Sequence, residues 1–195
     1  MDRESELDLV VRLRTGDPSA FDAVYDWLNR PLFNFLARLS RRRDVAEDLL
    51  EETWLRFVAR APALRSDTRL RPWLFTVARN LYVSYRRSRL VEDSHVAGLM
   101  GLWPFGLPGR SPFELAAATE SERRLEAALA ALPVAYREAV LLIAVEGLSR
   151  AEAAAACGIS SEAMRQRLSR GRALLARRLD ESEVPLIAAL TEAKA

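Results

Sequence analysis

The side chains best suited to chemistry lie closest together in residues 71–89, which read RPWLFTVARNLYVSYRRSR. This stretch combines arginine, aromatic and amide side chains and contains no acid. Arginine binds phosphate, aromatic rings stack on unpaired bases, and an amide can read a base edge. The aromatic residues are Trp73, Phe75, Tyr82 and Tyr85, and the amide is Asn80. This composition indicates contact with a nucleic-acid strand, although an amphipathic core helix with a solvated basic face would share it.

The same stretch is predicted to form one helix opened by Pro72, because proline suits the first helical turn. An apolar stripe at helical spacing would face a core. Its members are Trp73, Leu74, Val77, Ala78, Leu81 and Tyr85. A second, polar stripe consists of Thr76, Asn80, Ser84 and Arg87, with Arg79, Arg86 and Arg89 adding positive charge.

Charge is distributed unevenly along the 195 residues, although the formal net charge is only +2. Residues 60–89 hold eight Arg against one acid, and residues 163–179 hold six Arg and no acid. Residues 44–52 hold five acids and no base. Two basic surfaces and one acidic surface indicate polyanion binding and a separate protein contact. The acids also suit the positive end of a helix dipole, which is the alternative explanation of that cluster.

No set of residues resembles a catalytic centre or a metal site. The chain has one cysteine, Cys157, in the predicted second domain and one histidine, His95, in the predicted linker between the domains. We therefore expect no disulfide framework, metal, cofactor or enzyme activity. The acidic N-terminus and the lack of a long apolar run predict a cytoplasmic protein without membrane insertion.

Helical periodicity throughout the chain predicts an all-α fold of two small helical domains without a sheet. Glycine and proline interrupt the periodicity in an unusually apolar linker, which would pack on a domain or bind a partner. The predicted divisions are a first domain at 1–90, a linker at 91–112, a second domain at 113–180 and a tail at 181–195. Helices are predicted at 7–13, from Pro18, from Pro31, and at 44–59, 113–132, 134–145, 152–156, 161–179 and 184–190.

The second domain carries a helix-turn-helix signature. Ser149 and Glu152 match a capping box, and Gly158 permits a sharp turn. Ser160 can cap the following helix, whose outer face suits the DNA major groove, where Arg bonds guanine and Gln bonds adenine. The candidate base-reading residues are Ser161, Arg165, Gln166, Ser169 and Arg170. A plain helical hairpin is the alternative.

Together these stretches resemble the sigma-70 family of bacterial transcription initiation factors, specifically its small extracytoplasmic-function group. The matching segments are 48–54 (DLLEETW), 71–80 (RPWLFTVARN), 132–133, 136–138, 146–149, 158–160 and 165–170. The resemblance spans about residues 7–179. It implies an adaptor that brings RNA polymerase core enzyme to selected promoters.

The resemblance also implies a role for each surface. The acidic helix would dock on the coiled coil of the polymerase β′ clamp through Asp48, Glu51, Glu52, Trp54 and Arg56. The basic helix and the loop before it would open the −10 element and capture a flipped base through Ala61, Pro62, Ala63, Leu64, Arg65, Trp73, Thr76, Arg79, Asn80, Ser84 and Arg87. The helix-turn-helix would read the −35 element. Further implied partners are the polymerase β flap, promoter DNA and an anti-sigma factor, with the protein at the nucleoid when polymerase is bound.

One departure from the family pattern concerns the base-capturing loop, where Pro62, Ala63 and Leu64 replace the usual polar residues and terminal Phe. Two other functions stay open, and the altered loop bears on the second of them. A conventional dimeric helix-turn-helix regulator would bind palindromic sites. A sigma-like decoy would sequester an anti-sigma factor without driving transcription.

Overall fold

A computed structural model describes residues 1–99 and 119–192, and every regular element in these ranges is helical. The first domain consists of α1 (Arg3–Arg14), α2 (Pro18–Ser40), α3 (Arg43–Arg60), a 3-10 turn (Ala61–Ala63) and α4 (Leu70–Leu99). The second domain consists of α5 (Glu120–Ala130), α6 (Val134–Val140), a π-turn (Leu141–Val145), α7 (Arg150–Cys157) and α8 (Ser161–Glu192). The predicted all-α fold is confirmed. Within the described ranges, no helix has the length and apolar character needed to cross a membrane.

The predicted helix-turn-helix is present as α7 and α8. Ser149 and Glu152 form a reciprocal capping box at the start of α7, which satisfies two otherwise unpaired N–H groups. Gly158 ends α7 in the left-handed region, with a φ of 65°. The Ser160 hydroxyl accepts the Ala163 N–H at 3.1 Å and caps α8.

Two helix starts differ from those predicted. α2 runs through Pro31, where a new helix was expected, because apolar residues on both sides of the proline are buried in one core. That burial outweighs the backbone hydrogen bond that an internal proline removes. α4 begins at Leu70 rather than Pro72, because the Glu6 carboxylate of α1 accepts the Leu70 N–H at 2.7 Å.

Other bounds differ at helix ends. α4 extends to Leu99, so the beginning of the predicted linker is helical. α8 continues through residues 184–190, where a separate tail helix was predicted. The predicted helix at 134–145 changes to a π-turn at Leu141. The remainder of the predicted linker, the predicted helical residues 113–118, and residues 193–195 lie outside the described residues.

The buried apolar residues of both domains form one continuous cluster. α4 contacts α7, and α2 contacts α5 and α6, so the domains pack side against side. Within the second domain, Gly171 lets α8 cross α6 closely. A Cβ there would lie 3.0 Å from Val140 Cγ2 and 3.2 Å from the Tyr136 carbonyl oxygen. This packing places the basic face of α4 against the second domain.

Candidate nucleic-acid and protein interfaces

Helix α8 presents all five predicted base-reading residues to solvent: Ser161, Arg165, Gln166, Ser169 and Arg170. An acid that was not predicted, Glu162, organises two of them. Its carboxylate accepts Arg165 Nε at 2.8 Å and a terminal Arg165 nitrogen at 2.6 Å, and it accepts Gln166 Nε2 at 3.2 Å. The spacings of three and four residues are the sequence signal for these contacts.

The Arg165 and Gln166 hydrogen bonds lower the pKa of Glu162 to about 2, so this carboxylate is ionised at neutral pH. A guanidinium has five N–H donors, and Glu162 engages only two nitrogens of Arg165. The terminal nitrogens therefore keep N–H groups available for a guanine edge.

The polar stripe of α4 is exposed at Asn80, Ser84 and Arg87. Thr76 is half-buried, and its hydroxyl donates to the Pro72 carbonyl oxygen at 2.7 Å. Trp73 is also half-buried, with its ring centroid 5.8 Å from that of Phe57. The exposed part of the predicted −10 face is therefore the C-terminal part of the stripe.

Two aromatic residues proposed for base stacking belong to the core instead. Phe75 is fully buried, and its ring packs edge-on against Phe35. Tyr82 is buried and its hydroxyl donates to the Leu39 carbonyl oxygen at 2.9 Å, while burial raises the Tyr82 pKa. The stacking prediction is wrong for both, because their helical positions face α2 rather than solvent.

The predicted base-capturing loop is a tight turn rather than an open loop. Ala61 and Leu64 are buried and anchor it to the first domain, so they do not face a base. Pro62, Ala63 and Arg65 are exposed. Arg65 Nε lies 3.0 Å from an Asp67 carboxylate oxygen, and this contact lowers the Asp67 pKa.

The acidic face of α3 carries exposed Asp48 and Glu51, and Glu52 forms an ion pair with Arg56 at 2.8 Å. Trp54 is buried rather than exposed, and its Nε1 donates to Asn29 Oδ1 at 3.0 Å. Trp54 therefore packs in the core below the acidic face and is not part of the exposed surface.

An apolar groove lies beside the acidic face, and it was not predicted from the sequence. It has a volume of about 370 Å³ between α2 and α3. Its apolar lining residues are Phe21, Tyr25, Leu50, Trp54, Leu55 and Val58. Leu55 is 59% exposed and Val58 is 53% exposed. Leu55 follows Asp48 by seven positions and Glu51 by four, so helical spacing puts an apolar residue on the acidic face, and this is the sequence signal that could have found the groove.

Ion pairs join the two domains along one seam. Arg79 Nε of α4 lies 3.1 Å from Glu138 of α6, and a terminal Arg71 nitrogen lies 3.0 Å from the Glu146 carboxylate. Arg71 Nε also donates to the Glu146 carbonyl oxygen at 2.9 Å. Two further pairs extend the seam: Arg38–Glu126 at 2.7 Å and Arg69–Glu152 at 2.7 Å.

Arg137 of α6 crosses the same seam with its guanidinium buried. It donates to the carbonyl oxygens of Arg38 and Leu39, both at 3.3 Å, near the end of α2. It also donates to carbonyl oxygens of its own domain, at Ala130 and, at 2.9 Å, Leu132. Burial lowers the Arg137 pKa. The Arg137 side chain thus donates hydrogen bonds to backbone carbonyl oxygens near helix ends in both domains.

Among the described residues, no group of three or more His, Cys, Asp or Glu is arranged to hold a metal ion. The only cysteine, Cys157, is buried in α7, and burial raises its pKa to about 11.

Comparisons with known proteins agree with this arrangement. The chain matches the Sigma-70 region 2 family over residues 24–90 and the Sigma-70, region 4 family over residues 122–175. It is 36% identical over 141 residues to the ECF RNA polymerase sigma factor EcfG of Rhodopseudomonas palustris (strain TIE-1), covering 72% of this chain and 75% of that protein. It is 34% identical over 177 residues to the RNA polymerase sigma factor CarQ of Myxococcus xanthus, and the match covers 89% of this chain and 97% of that protein.

Two solved structures have the same fold. The sigma factor RpoE of Bartonella quintana, crystallised with the anti-sigma factor NepR, gives a TM-score of 0.68 at 29% identity over 82% of this chain and 96% of that chain. CnrH, in complex with the cytosolic domain of CnrY, gives a TM-score of 0.68 at 22% identity, and the match covers 91% of this chain and 98% of that chain.

The chain therefore belongs to the sigma-70 family. Within that family its curated relatives are extracytoplasmic-function (ECF) sigma factors, so it is an alternative sigma factor rather than a conventional helix-turn-helix regulator.

Proposed function

We propose that this sigma factor binds RNA polymerase core through α3 and directs it to promoters through α8 and α4. The observation that carries the proposal is the separation of three exposed surfaces. The acidic face with its apolar groove lies on α3, the exposed polar stripe around Asn80 lies on α4, and the exposed polar face around Arg165 lies on α8. The protein acts in the cytoplasm, where polymerase is, and supplies recognition rather than catalysis.

The α3 surface suits a basic, partly apolar helical partner. Asp48 and Glu51 supply negative charge, and the neighbouring groove offers apolar side chains that are otherwise in contact with water. Burying such side chains stabilises an interface, while charge complementarity sets orientation and the rate of encounter. The β′ clamp coiled coil is the proposed partner of this surface, and the β flap is the proposed partner of the second domain.

The promoter contacts divide between the domains. In the first domain, the exposed residues Asn80, Ser84 and Arg87 would contact one separated strand, and Pro62, Ala63 and Arg65 would lie at one end of this contact. In the second domain, Arg165 and Gln166 would read base edges of the −35 element in the major groove. Ser169 and Arg170, one turn further on, would contact bases or the adjacent backbone.

An anti-sigma factor is the proposed regulator of this chain. The relevant support is that the sigma factor RpoE, which shares this fold at 29% identity, was crystallised with the anti-sigma factor NepR. A sigma-like decoy would bind such a partner equally well. Promoter-dependent transcription with polymerase core, rather than binding to an anti-sigma factor, therefore separates the two functions.

The test is equilibrium binding of the fluorescently labelled full chain to purified polymerase core, with Glu51→Arg and Glu120→Arg compared. Both substitutions reverse one exposed charge, but Glu120 lies on α5, away from the proposed docking face. We expect tight binding by the native protein and by Glu120→Arg, and weaker binding by Glu51→Arg. Equal affinity of all three proteins would contradict the assigned docking face, and no binding by the native protein would contradict the function.

A further inference from the structure

A cavity of about 380 Å³ lies between the two domains, and arginine side chains from both domains line it. Arg79, Arg86 and Arg87 belong to α4, whereas Arg167 belongs to α8. Arg86 and Arg167 are not among the residues proposed above to contact polymerase or promoter. The surfaces already assigned therefore leave these two side chains without a role.

The cavity carries an excess of positive charge. Among its described lining residues Glu138 is the only acid, and its carboxylate is already paired with Arg79 at 3.1 Å. Within residues 1–99 and 119–192, no carboxylate pairs with Arg86, Arg87 or Arg167. Three guanidinium groups thus line one concave space without a counter-charge from these residues, and a concave basic surface concentrates anions.

Part of the cavity lining is apolar. Val83 of α4 and two residues of α6, Val134 and Ala135, are half-buried there. Binding sites for small molecules combine apolar lining with a few polar groups in cavities of roughly 300 to 1,000 Å³, and they occur preferentially at domain interfaces. The volume, lining and position of this cavity therefore match those of a small-molecule site.

We propose that this cavity binds a small molecule with at least two adjacent phosphate groups. A guanidinium group pairs with phosphate oxygens through parallel N–H donors, and a chain of phosphates offers oxygens to more than one guanidinium. Arg86 and Arg167 would hold the ligand from different domains. A nucleoside polyphosphate and inorganic polyphosphate share this chemistry, and the apolar part of the lining would receive a nucleoside.

Binding at this cavity has a consequence for stability. The ligand contacts come from both domains, and the unfolded chain does not bring these domains together. A ligand that binds only the folded protein raises its stability in proportion to the logarithm of ligand concentration above the dissociation constant. The thermal unfolding midpoint is therefore a second readout of binding, independent of the heat of binding itself.

The test is isothermal titration calorimetry of the full chain with ATP and, separately, with inorganic tripolyphosphate in ~0.15 M salt, where screening weakens attraction to scattered surface charges. We expect saturable binding of one molecule per chain. Tighter binding of ATP would identify a nucleotide as the ligand, and equal affinity would identify the phosphate chain alone. Arg86→Gln combined with Arg167→Gln should weaken binding at least about tenfold, because two charge-assisted contacts are lost. Arg87 is retained, since it also belongs to the proposed strand contacts.

The matched control is Arg14→Gln combined with Arg123→Gln, which removes the same charge from exposed positions outside the cavity. It should bind as the native protein does, and circular dichroism establishes that both double variants are folded. ATP should raise the unfolding midpoint of the native protein and of the control, but not that of the Arg86 and Arg167 variant. No saturable binding of either probe, or equal losses in the two double variants, would overturn the proposal. The assay contains neither polymerase nor promoter, so its result does not depend on the proposed function.

Discussion

Arg79 of α4 and Glu138 of α6 lie 59 positions apart in sequence and form an ion pair of 3.1 Å across the domain seam. The pair joins the helix assigned to the −10 element to the domain assigned to the −35 element. The two domains therefore contact each other through a partly buried pair of charged side chains.

Removing the buried Arg137 guanidinium should destabilise the protein. Arg137→Met keeps most of the side-chain length but removes the donor to the Arg38 carbonyl oxygen of α2 and to the Leu132 carbonyl oxygen of the second domain. We expect the free energy of unfolding to fall by about 3 kcal/mol, because buried polar groups lose their partners. Urea denaturation measures this loss. Arg123→Met on the exposed face of α5 is the matched control and should change stability little.

The apolar groove on α3 should contribute to polymerase binding without contributing to stability. Leu55→Ser and Val58→Ser change exposed side chains, so we expect an unaltered unfolding midpoint and about tenfold weaker binding to polymerase core. Val11→Ser changes an equally exposed apolar residue of α1 outside the groove. If all three variants bind the core as the native protein does, the groove is not part of the docking surface.

Asn80 should act after polymerase is bound. Its side chain is exposed on α4, away from the α3 docking face, so Asn80→Ala should leave core affinity unchanged. It should reduce open-complex formation, which permanganate reactivity of unpaired thymines in the −10 region measures. Loss of core binding in this variant would show that α4 belongs to the polymerase interface.

Arg165 and Glu162 should have opposite effects on DNA affinity. Arg165→Ala should weaken binding to a preferred −35 sequence by roughly tenfold to a hundredfold if Arg165 bonds a base. Glu162→Gln removes a negative charge beside the DNA and releases Arg165, so binding to unrelated sequences should tighten while discrimination falls. Competition binding with matched and scrambled sites measures both. An equal loss on both sites for Arg165→Ala would mean that Arg165 contacts only phosphates.

Cys157 should be protected from alkylation in the folded protein. Burial raises its pKa from 9.0 to about 11, so at pH 8 the folded thiol carries about a hundredfold less thiolate than an unfolded one. Because the unfolded thiol ionises first, stability should fall as pH rises from about 9 to about 11. Iodoacetamide labelling with and without urea measures the protection. Rapid labelling of the folded protein at pH 8 would contradict the burial of Cys157.

The sequence predicts local features well because they depend on near neighbours. The capping box at Ser149, the turn at Gly158 and the exposed face of α8 follow from residue types and spacing over a few positions. The partnership of Arg79 with Glu138 and the exposure of Val58 could not be predicted, because they depend on how distant helices pack. Pro31 was misleading for the same reason, since core burial overrides the local preference of proline.

Run-off transcription with purified polymerase core and a genomic promoter library, with and without this protein, tests the central claim most directly. We predict transcripts that require the protein and start downstream of a shared motif with two separated elements. Substituting Arg165 should disturb the upstream element, and substituting Asn80 should disturb opening at the downstream one. An absence of protein-dependent transcripts, with core binding still detectable, would contradict a promoter-directing sigma factor and would favour a decoy.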